Sequence, residues 1–237
     1  MRTAVYYSNR DLRLQEAPRP QAGPGELLVK VEASGICGSD VMEWYRKPKA
    51  PLVLGHEIAG AIEEVGAGVD GFSVGDVVAT THHVPCGQCA YCATGRQSVC
   101  RTLKTTSFDP GGFAEYVRLP QINVERGTFT VPDGVSPEAA SFVEPLACTI
   151  RAQRIAGVGP GKSVAVLGAG ISGALQIQLS AIPDVSYMGS WTSDCVACLV
   201  GSNVCPSCRV GADPRRGEAT TRPRAGTGAY QRASFRY

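Results

Sequence analysis

Over the first 130 positions the hydrophobic residues come in short runs: Glu26-Leu-Leu-Val-Lys-Val-Glu32, Ile58-Ala-Gly-Ala-Ile-Glu-Glu-Val65 and Asp76-Val-Val-Ala-Thr80. Turn residues close each run, at Pro24-Gly25, Gly66-Ala-Gly68, Asp70-Gly71, Gly75-Asp76 and Pro110-Gly-Gly112. Short strands and turns at this spacing predict a β-rich, barrel-like domain. At Ser136 the pattern changes. Ser-Pro-Glu is an N-cap followed by a proline at the first helical position and an acid in the first turn, which predicts a helix to about Ala156 with a kink at Pro145. Gly157-Val-Gly-Pro-Gly161 reads as a loop, Ser163-Val-Ala-Val-Leu167 as a buried strand, and Gly168-Ala-Gly-Ile-Ser-Gly173 as the turn into a second helix through about Ala181. Strand, glycine turn and helix in that order open an α/β domain.

From Pro183 onward neither period survives. Leu, Ile, Val and Phe supply only 7 of the last 55 residues, and that stretch holds seven arginines and no lysine. Such a composition predicts a disordered tail, and the abrupt shift near Ser180 to Pro183 reads as a frame change or a fused foreign segment. Within it, Cys195-x2-Cys198-x6-Cys205-x2-Cys208 has the form of a paired zinc knuckle, set in a sequence poor in core-forming residues.

Composition narrows the function classes. A chain of 237 residues is long enough for one large domain or two modest ones. Its net charge of +2 gives no compositional case for nucleic acid. No apolar run reaches the length of a membrane span, and the opening Met-Arg-Thr-Ala-Val-Tyr-Tyr lacks the apolar centre of a secretory signal, so the expected location is cytoplasmic with no membrane partner. Ten cysteines in such a setting point to metal ligation more than to disulfides.

Three constellations carry chemistry. Cys86-Gly-Gln-Cys89-Ala-Tyr-Cys92 followed by Cys100 is a C-x2-C-x2-C-x7-C lobe. Four thiolates on one short loop close a tetrahedral zinc site with no open position, so this site stiffens a loop and performs no reaction. The second constellation is dispersed: Cys37-Gly-Ser-Asp40, Gly55-His56-Glu57 and Glu144-Pro-Leu-Ala147. A catalytic zinc takes about three protein ligands and keeps one position open. Cys37, His56 and one of the carboxylates Glu144 or Glu57 would supply them, although a lone Cys or His is as often a core residue. The third is Gly168-x-Gly170-x-x-Gly173 between a Val-rich strand and a helix, the pattern of a dinucleotide-binding turn whose helix N-terminus faces the pyrophosphate.

Together, and in this order, these motifs resemble the zinc-dependent medium-chain dehydrogenases, the alcohol, polyol and threonine dehydrogenase group. The resemblance covers residues 1 to about 181, including the stretch from Gly66 to Asp76. It implies a mixed β and α/β fold: a GroES-like β-barrel, zinc-binding catalytic domain over 1–155, the incomplete start of a Rossmann dinucleotide-binding domain over 156–182, and an aberrant tail over 183–237. It also implies a catalytic zinc on Cys37, His56 and Glu144, with Glu57 as a neighbouring or exchanging ligand and Asp40 steadying the ligand histidine. Ser39 matches the hydroxyl that bonds the substrate oxygen and starts a proton relay. The implied reaction is hydride transfer from a small secondary alcohol or polyol to NAD or NADP, impaired in this chain because the dinucleotide fold stops short. A non-catalytic zinc-binding remnant is the alternative, and a homo-oligomer stays open.

One local departure stands out within the matched region. Where the group commonly places a relay histidine, five residues after the cysteine ligand, this chain has Met42. His82 and His83 are not at that position and read as strand-end residues ahead of the cysteine lobe.

Overall fold

The structure is a computed structural model, and it describes residues 1–181 and 186–189. It divides into two compact units, Met1–Glu144 and Pro145–Tyr237.

In the first unit the strands are β1 (Arg2–Ser8), β2 (Asp11–Glu16), β3 (Leu27–Gly35), β4 (Leu52–Val53), β5 (Glu57–Val65), β6 (Val77–Thr81), β7 (Tyr116–Leu119) and β8 (Thr128–Thr130). The helices are α1 (Glu43–Arg46), α2 (Ala90–Ala93), α3 (Arg101–Thr105), α4 (Gln121–Gly127), α5 (Pro137–Ala140) and the start of α6 (Val143–Ala156). The predicted runs at 26–32, 58–65 and 76–80 are β3, β5 and β6, three adjacent antiparallel strands. Their inward side chains, Leu27, Val29, Ile58, Ile62 and Val78, are at most 1% exposed and form the core with Val117 of β7. Burial of such side chains contributes roughly 1.5–3 kcal/mol each and keeps them on the core face, although the β3–β5 register shifts at Leu28/Val29 and at Val31/Ala33.

The expected barrel does not form. The strands make two open sheets, β2-β1-β4 and β7-β3-β5-β6-β8. Closure of the larger sheet would need β7 to pair with β8, but β7 pairs with β3 alone and β8 with β6 alone. Helix α4 occupies the chain between those two edges, and β8 is only three residues long. The segment ahead of β7 links the two sheets, bridging Thr3 through Ala114 and accepting from Val31 N through Glu115 O, without a continuous ladder.

The predicted helix from Ser136 is two helices. Ser136 caps α5 as expected, its side chain accepting from Ala139 N. The chain then breaks at Ser141–Phe142 and restarts as α6, with Pro145 in the first turn. Proline lacks an N–H and its ring clashes with the carbonyl four residues earlier, here that of Ser141. The expected kink at Pro145 is therefore resolved as a break just ahead of it.

In the second unit β9 (Ser163–Val166) leads through the glycine turn into α7 (Ile171–Ser180), as the pattern predicts. Gln153 of α6 ties to α7 through its Nε2, which donates to Gln176 Oε1 at 2.9 Å and Ser180 Oγ at 3.1 Å. One short element lies within the stretch expected to be an aberrant tail. Ser186–Gly189 forms β10 and pairs in parallel with β9, from Ser186 opposite Ser163 to Gly189 opposite Val166. An unpaired strand edge offers a row of backbone donors and acceptors to any extended segment, so pairing here does not require an alternating sequence. The cysteines at 195, 198, 205 and 208 lie outside the described residues.

Candidate metal centres

The Cys37-Gly-Ser-Asp40 sequence folds on itself as a capped 3-10 turn, Gly38–Val41. Cys37 is the N-cap, its sulfur accepting from Ser39 N at 3.5 Å, and Asp40 reaches back to accept from Cys37 N at 3.0 Å. This reciprocal box needs an acceptor side chain at the third turn position, which is why a carboxylate stands three residues after the cysteine. The other Asp40 oxygen faces the ring of His56, with Nδ1 3.6 Å away. His56 and Glu57 enter at the start of β5, opposite the end of β3, where Gly35 is the cross-strand partner of Glu57. The Glu57 carboxylate folds over the bare Cα of Gly35, in space a Cβ would occupy.

The Cys37 turn and the start of β5 converge. One ligand atom from each of Cys37, His56 and Glu57 lies within 4.8 Å of the others, and both His56 and Glu57 are buried. Burial works to lower the His56 pKa, but Asp40 and Cys37 outweigh it and hold His56 up to about 10. His56 in turn lowers the Cys37 thiol, and burial raises the Glu57 carboxyl. A sulfur, an imidazole and a carboxylate in one buried cluster are the donor set of a zinc site, so the residues fit that ion. Glu144 is outside this three-residue group; it acts on Glu57 and His83 electrostatically. Between the two carboxylates that the sequence leaves open, the geometry brings Glu57 to the cluster.

Three neighbours of the cluster carry no recognisable sequence signal. Arg46 of α1 donates through Nε to Ser39 O at 2.9 Å, and through Nη2 to Ser39 Oγ at 2.8 Å and Asp40 Oδ1 at 3.3 Å. The ring of His82 packs on that of His56, centroids 4.5 Å apart, and is itself stacked on His83 at 3.7 Å. Burial, with the two histidines beside it, pushes His82 down to about 2, so it is a neutral ring against the cluster. His83, in contrast, bonds the carbonyl of Thr106 through Nδ1 at 2.8 Å. The third neighbour is Gly35. Gly35 and Arg46 are near Cys37 along the chain but belong to no motif, and His82, read from the sequence as a strand-end residue, reaches His56 only through the pairing of β5 with β6.

The cysteine lobe assembles as its spacing predicts. Cys86, Cys89, Cys92 and Cys100 each offer a sulfur within 4.8 Å of the rest. Their nearest approaches are 3.5 Å for Cys89 to Cys92 and 3.7 Å for Cys100 to Cys86, far from the roughly 2.05 Å of a disulfide. Backbone N–H groups of Gln88 and Cys89 lower the Cys86 thiol, and those of Cys86 and Leu103 bring Cys100 down to about 6. Burial pushes Cys92 up to about 12. Amides aimed at Cys86 and Cys100 favour thiolates there, and four sulfurs within reach of one point fit a closed zinc site. At the neck of the lobe Val84 N donates to Thr106 Oγ1 at 3.0 Å.

In the second unit the glycine turn has the backbone its pattern requires. Gly168 holds φ +99°, and Gly173 lies against the carbonyl of Gly168 where a Cβ would collide. Gly170 is the N-cap of α7 and has no capping side chain.

Comparison with known proteins agrees with this geometry. The pattern of the alcohol dehydrogenase GroES-like domain matches residues 23–132. An L-threonine 3-dehydrogenase of Pyrococcus abyssi is 41% identical over 174 residues, 70% of this chain and 49% of that protein. The chain belongs to the zinc-dependent medium-chain dehydrogenase/reductase family. Other members are similar over the same region. A sorbitol dehydrogenase of Bacillus subtilis is 36% identical over 186 residues, 75% of this chain and 51% of its own. An acetophenone reductase of Geotrichum candidum, solved in complex with NAD, superposes with TM-score 0.67 at 28% identity over 79% of this chain and 57% of that one. The chain spans about half the length of the curated relatives it matches. Among its described residues no helix is long and apolar enough to cross a membrane.

Proposed function

We propose that this chain carries the zinc-binding catalytic part of an NAD- or NADP-dependent dehydrogenase acting on a small secondary alcohol or polyol. The observation that carries the reading is the convergence of Cys37 with the adjacent pair His56 and Glu57, from two separated segments, into one donor cluster in which the histidine and the carboxylate are buried. In this reading the carbinol carbon gives up a hydride to the nicotinamide, and the hydroxyl gives up its proton. Cys37 and His56 hold the catalytic zinc with a carboxylate, Glu57 by its proximity, and Glu144 as the alternative or exchanging ligand. Zinc in that donor set supplies Lewis acidity, making the hydroxyl of an alcohol more acidic.

The chain's own residues do the rest. Asp40 fixes the ring orientation of His56, a role that typically changes metal affinity or activity 10- to 100-fold in comparable sites. Ser39, two residues from Cys37, presents a hydroxyl to the substrate oxygen. Cys86, Cys89, Cys92 and Cys100 hold a second zinc that stiffens the lobe. Gly168, Gly170 and Gly173 let the backbone of the dinucleotide-binding segment approach a pyrophosphate.

The test uses the full 237-residue chain. Elemental analysis should find two zinc equivalents, calorimetry should detect NAD or NADP binding, and a panel of secondary alcohols, polyols and L-threonine should reveal the reducing substrate. Two bound zinc ions without nicotinamide binding would favour the alternative, a zinc-binding protein without catalysis.

A further inference from the structure

The environment of Ser39 assigns a role to a residue outside the motifs. We propose that Arg46 is a positioning residue that fixes the polarity of the Ser39 hydroxyl, so that Ser39 serves the metal centre as a hydrogen-bond donor to the oxygen of a bound alcohol. The identity of that oxygen rests on the dehydrogenase reading above; the positioning rests on the side-chain geometry.

A guanidinium donates hydrogen bonds and accepts none. With Arg46 Nη2 2.8 Å from Ser39 Oγ, the hydroxyl oxygen must be the acceptor in that bond. The same guanidinium holds the backbone of Ser39 through Nε at 2.9 Å and reaches Asp40 Oδ1 at 3.3 Å. Two adjacent residues are therefore gripped at three oxygen atoms by one planar group. A rigid fork suits this, and a lysine would bond as a single point. The Arg46 side chain is only 14% exposed, so water competes little for these bonds.

Once Oγ accepts from Arg46, the hydrogen of Ser39 must point elsewhere. Its available direction is the metal-centre side, where the sulfur of Cys37 lies 3.5 Å from the backbone N of Ser39. Arg46 cannot take a proton from Ser39 in turn, and the thioether of Met42 offers only a weak acceptor. Ser39 is then a fixed donor rather than the first station of a relay, and the proton of the alcohol passes to solvent water.

The test reads coupling between the two residues, in protein loaded with Co2+ at the catalytic centre and titrated at fixed pH with trifluoroethanol, followed by the visible absorption bands. Ser39→Ala should weaken trifluoroethanol binding about tenfold, the scale of one charge-assisted hydrogen bond. Arg46→Ala should do the same, and the double variant should bind no more weakly than Ser39→Ala alone, because Arg46 acts through Ser39. Added guanidinium should restore Arg46→Ala and leave Ser39→Ala unchanged, and Arg46→Lys should recover part of the loss. Additive losses of about a hundredfold in the double variant would overturn the proposal. So would unaltered binding by Arg46→Ala, or no trifluoroethanol uptake by the parent protein. Coupled binding without reduction of NAD or NADP would defeat the dehydrogenase reading and leave the role of Arg46 standing.

Discussion

Asn123 offers a quantitative test of how the fold supports the site. Its side chain is wholly buried at 0% exposure, in α4, and its Nδ2 donates to Thr81 O at 2.8 Å and His82 O at 3.0 Å. Those two carbonyls lie at the end of β6, where the chain leaves the sheet and carries His82 toward His56. Asn123→Ala removes both bonds. At about 1 kcal/mol net for each, plus a contribution from carbonyls left without that donor and from a small cavity, the expected loss is roughly 2–4 kcal/mol. With a urea slope of about 2 kcal/mol per molar for a domain of this size, the unfolding midpoint should fall by roughly 1–2 M. Far-UV circular dichroism of the zinc-loaded protein is the readout. Asn123→Asp keeps the shape but aims a carboxylate at two carbonyl oxygens, so it should be at least as damaging as alanine. A midpoint shift under about 0.25 M for Asn123→Ala, or an aspartate variant as stable as the parent, would refute the reasoning.

Other expectations are more direct. Cys89→Ser should lose about one zinc equivalent by elemental analysis and loosen the lobe; retention of all zinc would count against a closed four-cysteine site. Gly35→Ala places a Cβ where the Glu57 carboxylate lies, so zinc affinity at the Cys37 cluster should fall about tenfold in a chelator competition with little change in melting temperature. If Glu57 has no part in binding, that affinity will not move. Asp40 and Cys37 hold the His56 proton up to about pH 10, and a ligand imidazole must be neutral, so zinc competes with that proton throughout the neutral range. Affinity should rise as pH goes from 6 to 8, with proton release in calorimetry; a flat profile would remove His56 from the ligands.

How much of this was legible in the sequence depended on how local each feature is. The lobe could be read because Cys86, Cys89, Cys92 and Cys100 lie on one loop, so spacing alone brings them together. The same holds for the Ser136 cap and for the strand, glycine turn and helix from Ser163 onward. The proximity of Glu57 to Cys37 and His56 was not legible, because it depends on that carboxylate folding over Gly35 across the β3–β5 ladder. Nor was the packing of His82 on His56, since the two are brought together only by the pairing of β5 with β6. Strand runs predicted the β-rich character but not whether the sheet closes, a property of the edges β7 and β8. The break before Pro145 and the recruitment of β10 to β9 likewise follow from backbone geometry that residue patterns describe only loosely.

The neck of the cysteine lobe has a consequence for how the protein opens. His83 and Val84 on one side are bonded to Thr106 on the other, through Nδ1 to a carbonyl and through a backbone N–H to a hydroxyl. Everything from 85 to 105 is thus an excursion whose two ends are pinned at the same place on the sheet. A segment tied this way can come apart as a cooperative unit without unzipping the strands beneath it. Chelation should therefore be seen first by a protease cutting between 86 and 100, while the amides of β5 and β6 keep their protection from hydrogen exchange. The lobe is in this sense a detachable part, able to lose its order while the sheet below keeps its own, provided that the neck holds.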